Sequence, residues 1–451
     1  MSEDLCVIVL AAGKGTRMRS ALPKVLHTVA GLPMAAHVLR EAQELGPGRI
    51  IVVIGFESGK VRDALGAADV VFVEQAEQLG TGHAVQLCAE AAKGFAQVLV
   101  LNGDSPLVTS ATLRRLAKER GASPMSMLTC RVPDAGAFGR VRRDASGAVA
   151  AIEERLDGEG SGSVAERNAG QYAFAAAWLW EHVAKLSKSA SGEYYVTELA
   201  ALAVAEGSPP VAIDGPADEL MGFDDRAGLA EAERMMRNRI LRSHMLAGVT
   251  IADPATTYID AGVQIAADVT ILQNCWLTGA TTIETGATIG PGSTLRDSRV
   301  EENATVWQST VEDSLIGDGA HLGPFAHVRG RSVIGPECHL GNYAEVNRST
   351  LGRGVKMHHF SYLGDATVGE GANIAAGVIT CNYDGVNKNR TIIGAGAFVG
   401  CDTMLVAPVE MGEGSLTGAG TVLNRDLGAG MRAVGVPARV LGPRSEEHGR
   451  D

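Results

Sequence analysis

The apolar positions of this chain change their period once, and the change divides it. From residue 5 to about 225, short apolar runs alternate with amphipathic stretches. Residues 5–10, 50–54, 70–73 and 98–101 each read as a buried strand, while 33–45 and 82–92 carry the spacing of helices. Such alternation predicts an α/β fold, a Rossmann-like and mostly parallel sheet with helices on both faces. Ligands of these sheets sit beyond the carboxyl ends of the strands, so the loops after Leu10 and Leu101 are the first places to look. Residues 227–247 have no proline, and no glycine after Gly228. Rich in helix formers, they predict one connecting helix, or else a surface helix of the first domain.

Farther on the period is six. Ile259, Ile265, Ile271, Leu277, Ile283, Ile289 and Leu295 follow one another at six residues without a miss. A second run is Ile316, Leu322, Val328, Ile334, Leu340, Val346, and a third is Ile393, Val399, Leu405, Met411, Thr417, Leu423, with one polar member. Neither a helix nor a flat strand has this period, whereas a hexapeptide β-helix does. Each hexad would supply a short strand and a turn, and three hexads per coil would stack their aliphatic residues inside a triangular prism. The expected organisation is an α/β domain over 1–226, a helical linker over 227–247 and a parallel β-helix of hexapeptide repeats over 248–451. Two interruptions stand out in the repeat: His358-His359-Phe360-Ser361-Tyr362 departs from the hexad spacing, and 381–390 reads as an ejected loop.

Composition narrows the function. With 56 glycines and only 4% aromatic residues, the chain is built for tight turns and a core of small aliphatic side chains. A formal charge of −12 excludes a general nucleic-acid partner, while local cations can still serve anionic small molecules. The seven cysteines lack a C-x-x-C pair, which predicts neither a disulfide framework nor a zinc site. Free thiols, an acidic start and no apolar run of membrane length predict a cytoplasmic protein without membrane insertion.

The first strand runs into LAAGKGTRM, Leu10 to Met18, where small residues let backbone N–H groups, Lys14 and Arg17 approach phosphate oxygens. A dinucleotide fingerprint fails here because its last position is Met18, and a Walker loop fails because Lys14 precedes Gly15. Lys24, in PKVL, is a plausible arm for the α-phosphate. Gln75 with Gly80-Thr81-Gly82 forms a second small-residue loop suited to reading a base. Asn102-Gly103-Asp104 ends a strand at the sheet's carboxyl edge, where an Asp is either a turn residue or a hard oxygen ligand for Mg²⁺. Asp224, in GFDDR, is a second such carboxylate.

Together, LAAGKGTRM, LPKVLH, EQLGTGHA, NGD, GEYYVTE, YLGDATVG and ITCNYDG resemble the bacterial bifunctional N-acetylglucosamine-1-phosphate uridylyltransferase and glucosamine-1-phosphate acetyltransferase family, from Val7 to about Pro437. The resemblance implies synthesis of UDP-N-acetylglucosamine for cell-envelope polymers, with UTP and acetyl-CoA as co-substrates, Mg²⁺ as cofactor and a homotrimer held by the β-helix. It implies that Leu10, Ala11, Ala12, Gly13, Gln75, Gly80, Thr81, Asn102 and Gly103 hold the nucleotide. Arg17 and Lys24 neutralise the triphosphate, Gly139, Glu153, Asn168 and Thr197 bind the amino sugar, and Asp104 and Asp224 hold Mg²⁺. In the second half it implies His359 as general base, oriented by Glu345. Arg329, Tyr362, Asn373, Asn382 and Tyr383 would surround the sugar phosphate, and Ala376, Cys401 and Ala419 would line the acetyl-CoA groove.

The chain also departs from that pattern. Asp224 stands where an Asn is usual, Asn347 where a phosphate-binding lysine is usual, and Cys401 where a serine is usual. A C-terminal arginine is missing at Gly435-Val436-Pro437. Arg348 is the nearest substitute for the lysine, but neighbouring strand residues face opposite ways. On that expectation acetyl transfer is weakened, altered or lost. The competing reading is a monofunctional sugar-1-phosphate nucleotidyltransferase whose β-helix is an assembly or regulatory module.

Overall fold

The computed structural model describes residues 4–66, 68–133, 139–153, 164–189 and 192–443. The chain forms two compact units, Met1–Met236 and Arg237–Asp451. The division falls inside the helix Arg226–Leu246, and not at its ends. Glu233, in the first half of that helix, accepts a hydrogen bond from the Ala30 N–H at 2.7 Å. In the second half, Leu241 is buried in the β-helix core and the Arg237 guanidinium lies 4.1 Å from the Tyr258 ring centre.

In the first unit the strands Leu5–Leu10, Arg49–Ile54, Val71–Glu74 and Gln97–Asn102 pair in parallel. Val164–Ala175 is antiparallel to Gln97–Asn102, Met125–Pro133 and Arg140–Arg143, and Val211–Asp214 closes the sheet in parallel with Met125–Pro133. Alternation along the central strands explains the two helix layers. Val7, Val9, Val52, Leu99 and Leu101 face one apolar cluster, which includes Leu113 and Leu116 of the helix Ser110–Glu119. Cys6, Ile8, Ile51, Val53, Val98 and Val100 face the other, with Ala84, Val85 and Leu179 from the helices Thr81–Leu87 and Ala176–Val183. Strands buried on both faces must be apolar at every position, which is why they appeared as unbroken runs. The helix expected over 82–92 stops at Leu87, because the Cys88 and Ala89 N–H groups bond back three residues rather than four.

The second unit is the left-handed parallel β-helix. Its strands form three walls of twelve, ten and nine strands, parallel except where Arg439–Pro443 turns back antiparallel on Met431–Val434, each strand pairing with the third one after it almost throughout. The aliphatic columns lie inside, as in Ile259, Leu277, Leu295, Val311, Val328, Val346 and Leu363, which are in direct register. Thr417, the polar member, is fully buried and satisfied, meeting Thr403 Oγ1 at 3.1 Å and the Gly400 N–H at 3.0 Å.

The gap between the first two sequence runs is part of the same column. Val300, Val306 and Val311 are all fully buried there, and the spacing shortens to five at three steps. At every five-residue step between Leu295 and Val368, the second residue after the inward aliphatic has positive φ: Asp297, Gln308, Asp313, Arg348 and Asp365, at 44–52°. Six-residue steps carry their left-handed residue one position later, as at Asn303, Arg331 and Glu337, so a five-residue side of the coil turns its corner one residue sooner. The interruption at 358–362 is corrected accordingly. Met357 and Leu363 are six apart and both buried; the slip occurs earlier, between Val346 and Leu351, at Arg348. Of the loop expected over 381–390, Cys381 ends the strand Ile379–Cys381 and residues 382–390 leave the repeat, with Tyr383 bridged to Lys388.

Candidate active sites

At the carboxyl edge of the first sheet lies a cavity of about 450 Å³. Its wall contains Leu10, Ala12, Gly13, Arg17, Lys24, Gln75, Gly80, Thr81, Asn102, Asp104 and Asp224, eleven of the residues singled out from sequence. Ala11 and Gly103 lie behind the wall: Ala11 is buried, and the Gly103 N–H donates to the Leu10 carbonyl at 3.0 Å.

Charge organises one end of this cavity. Lys24 is buried and donates to both Asp104 Oδ2 and Asp224 Oδ1, while Arg17 Nη1 reaches Asp224 Oδ2 at 3.0 Å. Two cations and two carboxylates thus alternate. Burial works against the Lys24 charge, but Asp104 and Asp224 outweigh it and hold the ammonium above the usual lysine range. Among the described residues no three His, Cys, Asp or Glu side chains gather as a metal cage. Two converging carboxylates with hard oxygens nevertheless fit Mg²⁺, which commonly takes one or two carboxylates and completes its shell with substrate phosphates and water.

The opposite end is held by backbone. Gly80 adopts φ +94° at the start of the helix Thr81–Leu87, and a Cβ there would stand 2.6 Å from the Tyr194 carbonyl oxygen, so only glycine fits. The Gly82 N–H donates to Tyr194 O at 2.7 Å, and the Val196 N–H donates to Thr81 Oγ1 at 3.0 Å. This fastens the GEYYVTE segment to the loop and brings Glu193 into the wall. Gln75, also buried, donates from Nε2 to the Gly80 carbonyl at 2.9 Å. Sequence reading missed Glu193, Gln78 and Thr16 as lining residues, although the GEYYVTE motif pointed to the first.

Gly139, Glu153, Asn168 and Thr197 do not line this cavity. Asn168 sits at a bulge in its strand, donating to the Tyr172 hydroxyl at 2.6 Å and accepting from the Gly170 N–H at 3.1 Å. The Gly139 carbonyl accepts from the Asn168 N–H at 2.9 Å, and Glu153 pairs with Arg142 at 3.4 Å. Thr197 precedes the helix Glu198–Ala205.

In the second unit, one wall brings the other predicted residues onto consecutive coils. Arg329 is in register with Asn347, and Glu345 with Tyr362. Arg329 Nη2 donates to Glu345 Oε1 at 2.5 Å. The Tyr362 hydroxyl and the Asn382 amide both lie over Gly364, where any Cβ would strike them. His359 follows the strand Lys356–Met357, its ring 6.5 Å from that of His358. Asn373 lies on a different wall, in register with Lys356. Tyr383 is exposed in the loop, donating to the Gly385 carbonyl at 2.6 Å. Ala376, Cys401 and Ala419 stack at one corner, since the Asp402 and Gly420 N–H groups donate to the Ala376 and Cys401 carbonyls at 2.8 Å.

Arg348 corrects an expectation. The strand ends at Asn347, and with φ +49° Arg348 leaves the strand alternation. Both residues therefore line one cavity of about 600 Å³ with Arg329. Arg348 donates from Nε and Nη2 to Asp365 at 2.7 and 2.9 Å, and from Nη1 to Asn347 Oδ1 at 3.3 Å. Those bonds raise the arginine further and, led by Arg348 and helped by Asn382, hold the Asp365 carboxyl below its usual range.

Comparison with known proteins accords with both units. Residues 7–202 match the MobA-like NTP transferase domain, and residues 313–348 match the bacterial transferase hexapeptide repeat. The chain is 44% identical over 442 residues to the bifunctional protein GlmU of Stutzerimonas stutzeri, and 45% identical over 437 residues to that of Azotobacter vinelandii, covering 96% of both partners in each case. The GlmU protein of Kineococcus radiotolerans is 44% identical, with 96% of this chain and 90% of the relative covered. Among the described residues no helix is long and apolar enough to cross a membrane. With its nucleotidyltransferase sheet, its hexapeptide β-helix and relatives matched over nearly their full length, this chain belongs to the family of bifunctional GlmU proteins.

Proposed function

We infer that the chain makes UDP-N-acetylglucosamine in two steps, one on each unit, as a cytoplasmic enzyme. The β-helix transfers acetyl from acetyl-CoA to glucosamine 1-phosphate. The first unit then transfers uridylyl from UTP to N-acetylglucosamine 1-phosphate. The observation that carries this reading is the cavity in which a glycine loop, Arg17 and Lys24 face two carboxylates at a sheet's carboxyl edge.

In the uridylyl step, a phosphate oxygen of the sugar phosphate attacks the α-phosphorus. The bond to the β-phosphate oxygen breaks, and pyrophosphate leaves. The protein's work is positioning and charge. Lys24 and Arg17 are placed to exchange carboxylate partners for phosphoryl oxygens, and the Gly13–Arg17 loop leaves room for the triphosphate. Gln75 and the Gly80–Thr81 backbone would meet the uracil edge. Mg²⁺ held by Asp104 and Asp224 would supply charge neutralisation at the phosphates.

In the acetyl step, the 2-amino nitrogen attacks the thioester carbonyl, the C–S bond breaks and CoA thiol leaves. His359 would take the amine proton, a task suited to imidazole near neutral pH. Glu345 is paired with Arg329 through Oε1, so it holds that arginine in place, and its other oxygen would orient His359. Exposed Phe325, Tyr343 and Phe360 stand at one corner beside His359, with the first two stacked at 5.3 Å. That apolar corner favours a homotrimer in which a second copy covers the acetyl site. The test is to supply glucosamine 1-phosphate, acetyl-CoA, UTP and Mg²⁺ together and separately. CoA release without UTP, and pyrophosphate release without acetyl-CoA when N-acetylglucosamine 1-phosphate is given, are expected. Pyrophosphate release alone would leave the monofunctional reading.

A further inference from the structure

We propose that Arg348 is the second phosphate-binding cation of the acetyl-transfer site, acting with Arg329 across the cavity that both line, in place of the charge absent at Asn347. The inference rests on the acetyltransferase reading above and adds a specificity-determining residue to it.

The corner geometry sets the placement. On the five-residue side between Val346 and Leu351 the left-handed corner residue comes two positions after Val346, and that residue is Arg348. Gly330, on the coil before, makes the room: a Cβ there would stand 3.0 Å from Arg348 Cγ. Asp365 takes the Nε edge of the guanidinium in a bidentate pair, and is itself bonded by the Asn382 amide. Arginine has five N–H donors in a rigid fork. The pairing with Asp365 and the single bond to Asn347 leave one donor on each terminal nitrogen of this cavity-lining residue. Arg348 is 43% exposed and Arg329 37%, so neither is sealed from a ligand. Asn347 is buried and neutral, and its Oδ1 is occupied by Arg348. It can orient a guanidinium but carries no charge to a phosphate.

Arg329 and Arg348 are each neutralised by one carboxylate, Glu345 and Asp365. A dianionic phosphate would therefore bind by adding to two preordered guanidinium groups, which lose little entropy on binding. The remaining lining arginines, Arg296 and Arg331, pair with Glu312 and Asp313.

The test uses the full chain and compares glucosamine 1-phosphate with unphosphorylated glucosamine as acetyl acceptor. Arg348→Ala is expected to raise KM for the phosphorylated acceptor roughly tenfold or more, with kcat within about twofold. The rate with glucosamine and the rate of uridylyl transfer should not move. Arg348→Lys should recover part of the loss, and Asn347→Lys in the Arg348→Ala background should recover phosphate preference. Calorimetric titration with glucosamine 1-phosphate should show the same loss of affinity. An unchanged KM and affinity, or an equal loss with both acceptors, would overturn the proposal, the second outcome marking Arg348 as purely structural. If the unaltered chain acetylates neither acceptor, the acetyltransferase reading itself fails, and this assignment goes with it.

Discussion

Replacing Lys24 by methionine probes the first site most directly, because the side chain keeps its length and loses its charge. Asp104 and Asp224 would then face one another with no ammonium between them. Two carboxylates that both touch one ammonium lie about 5 Å apart, where an effective dielectric of about 20 gives a repulsion of about 3 kcal/mol. Their side chains are 26% and 36% exposed, and Arg17 still reaches Asp224. Screening should therefore reduce the cost to about 1–2 kcal/mol, measurable by urea unfolding of the variant against the unaltered chain. The catalytic effect should be larger. Removing a preorganised charge partner of the reacting group typically costs about 10²–10³-fold, so pyrophosphate release should fall by that factor. A divalent cation relieves carboxylate repulsion, so Mg²⁺ alone should raise the melting temperature of the variant more than that of the unaltered chain. Uridylyl transfer within about threefold of normal would remove Lys24 from the mechanism. Equal Mg²⁺ responses would dismiss the shared carboxylate site.

Three other outcomes follow from particular contacts. The Lys24 pKa is raised above 10.5, so its ion pairs contribute stability that is complete below that value and is lost as pH climbs through the higher folded value. An alkaline unfolding series should show this component in the unaltered chain and not in Lys24→Met. Gly341→Ala would drive a Cβ into the His358 backbone carbonyl, displacing the turn that carries His359. Acetyl transfer should drop at least roughly tenfold while pyrophosphate release stays unchanged, since a misplaced general base forfeits about 10²-fold or more. Ile334 is fully buried in its column, and Ile334→Ala should cost about 2–5 kcal/mol by denaturant unfolding monitored in the second unit.

Much of the first site was legible because its residues follow short motifs at strand ends. The loop Gly13–Arg17, Lys24, Gln75, Gly80, Thr81, Asp104 and Asp224 all reached one cavity. Glu193 was not foreseen because its entry depends on hydrogen bonds between residues 79–82 and 194–196, two of them backbone to backbone and one to the Thr81 hydroxyl. Asn168 was assigned to the sugar, yet a bulge in its strand sets its side chain against Tyr172 and Gly170. Glu345 was expected beside His359; in the structure it also carries an ion pair to Arg329, diagonally across the strands and outside the direct register.

The sequence by itself determined the two architectures, because period is a local property: unbroken apolar runs demand a sheet covered twice, and a six-residue repeat demands a coil. It also determined which residue types were available for phosphate chemistry. Only the tertiary structure decided their partners. Strand alternation predicted that Arg348 would point away from Asn347. The five-residue side reverses that, since its left-handed corner turns the Arg348 side chain toward the same cavity. Where a side of the coil turns left-handed is a backbone conformation, which the residue spacing does not display and which fixes the way the corner side chain faces.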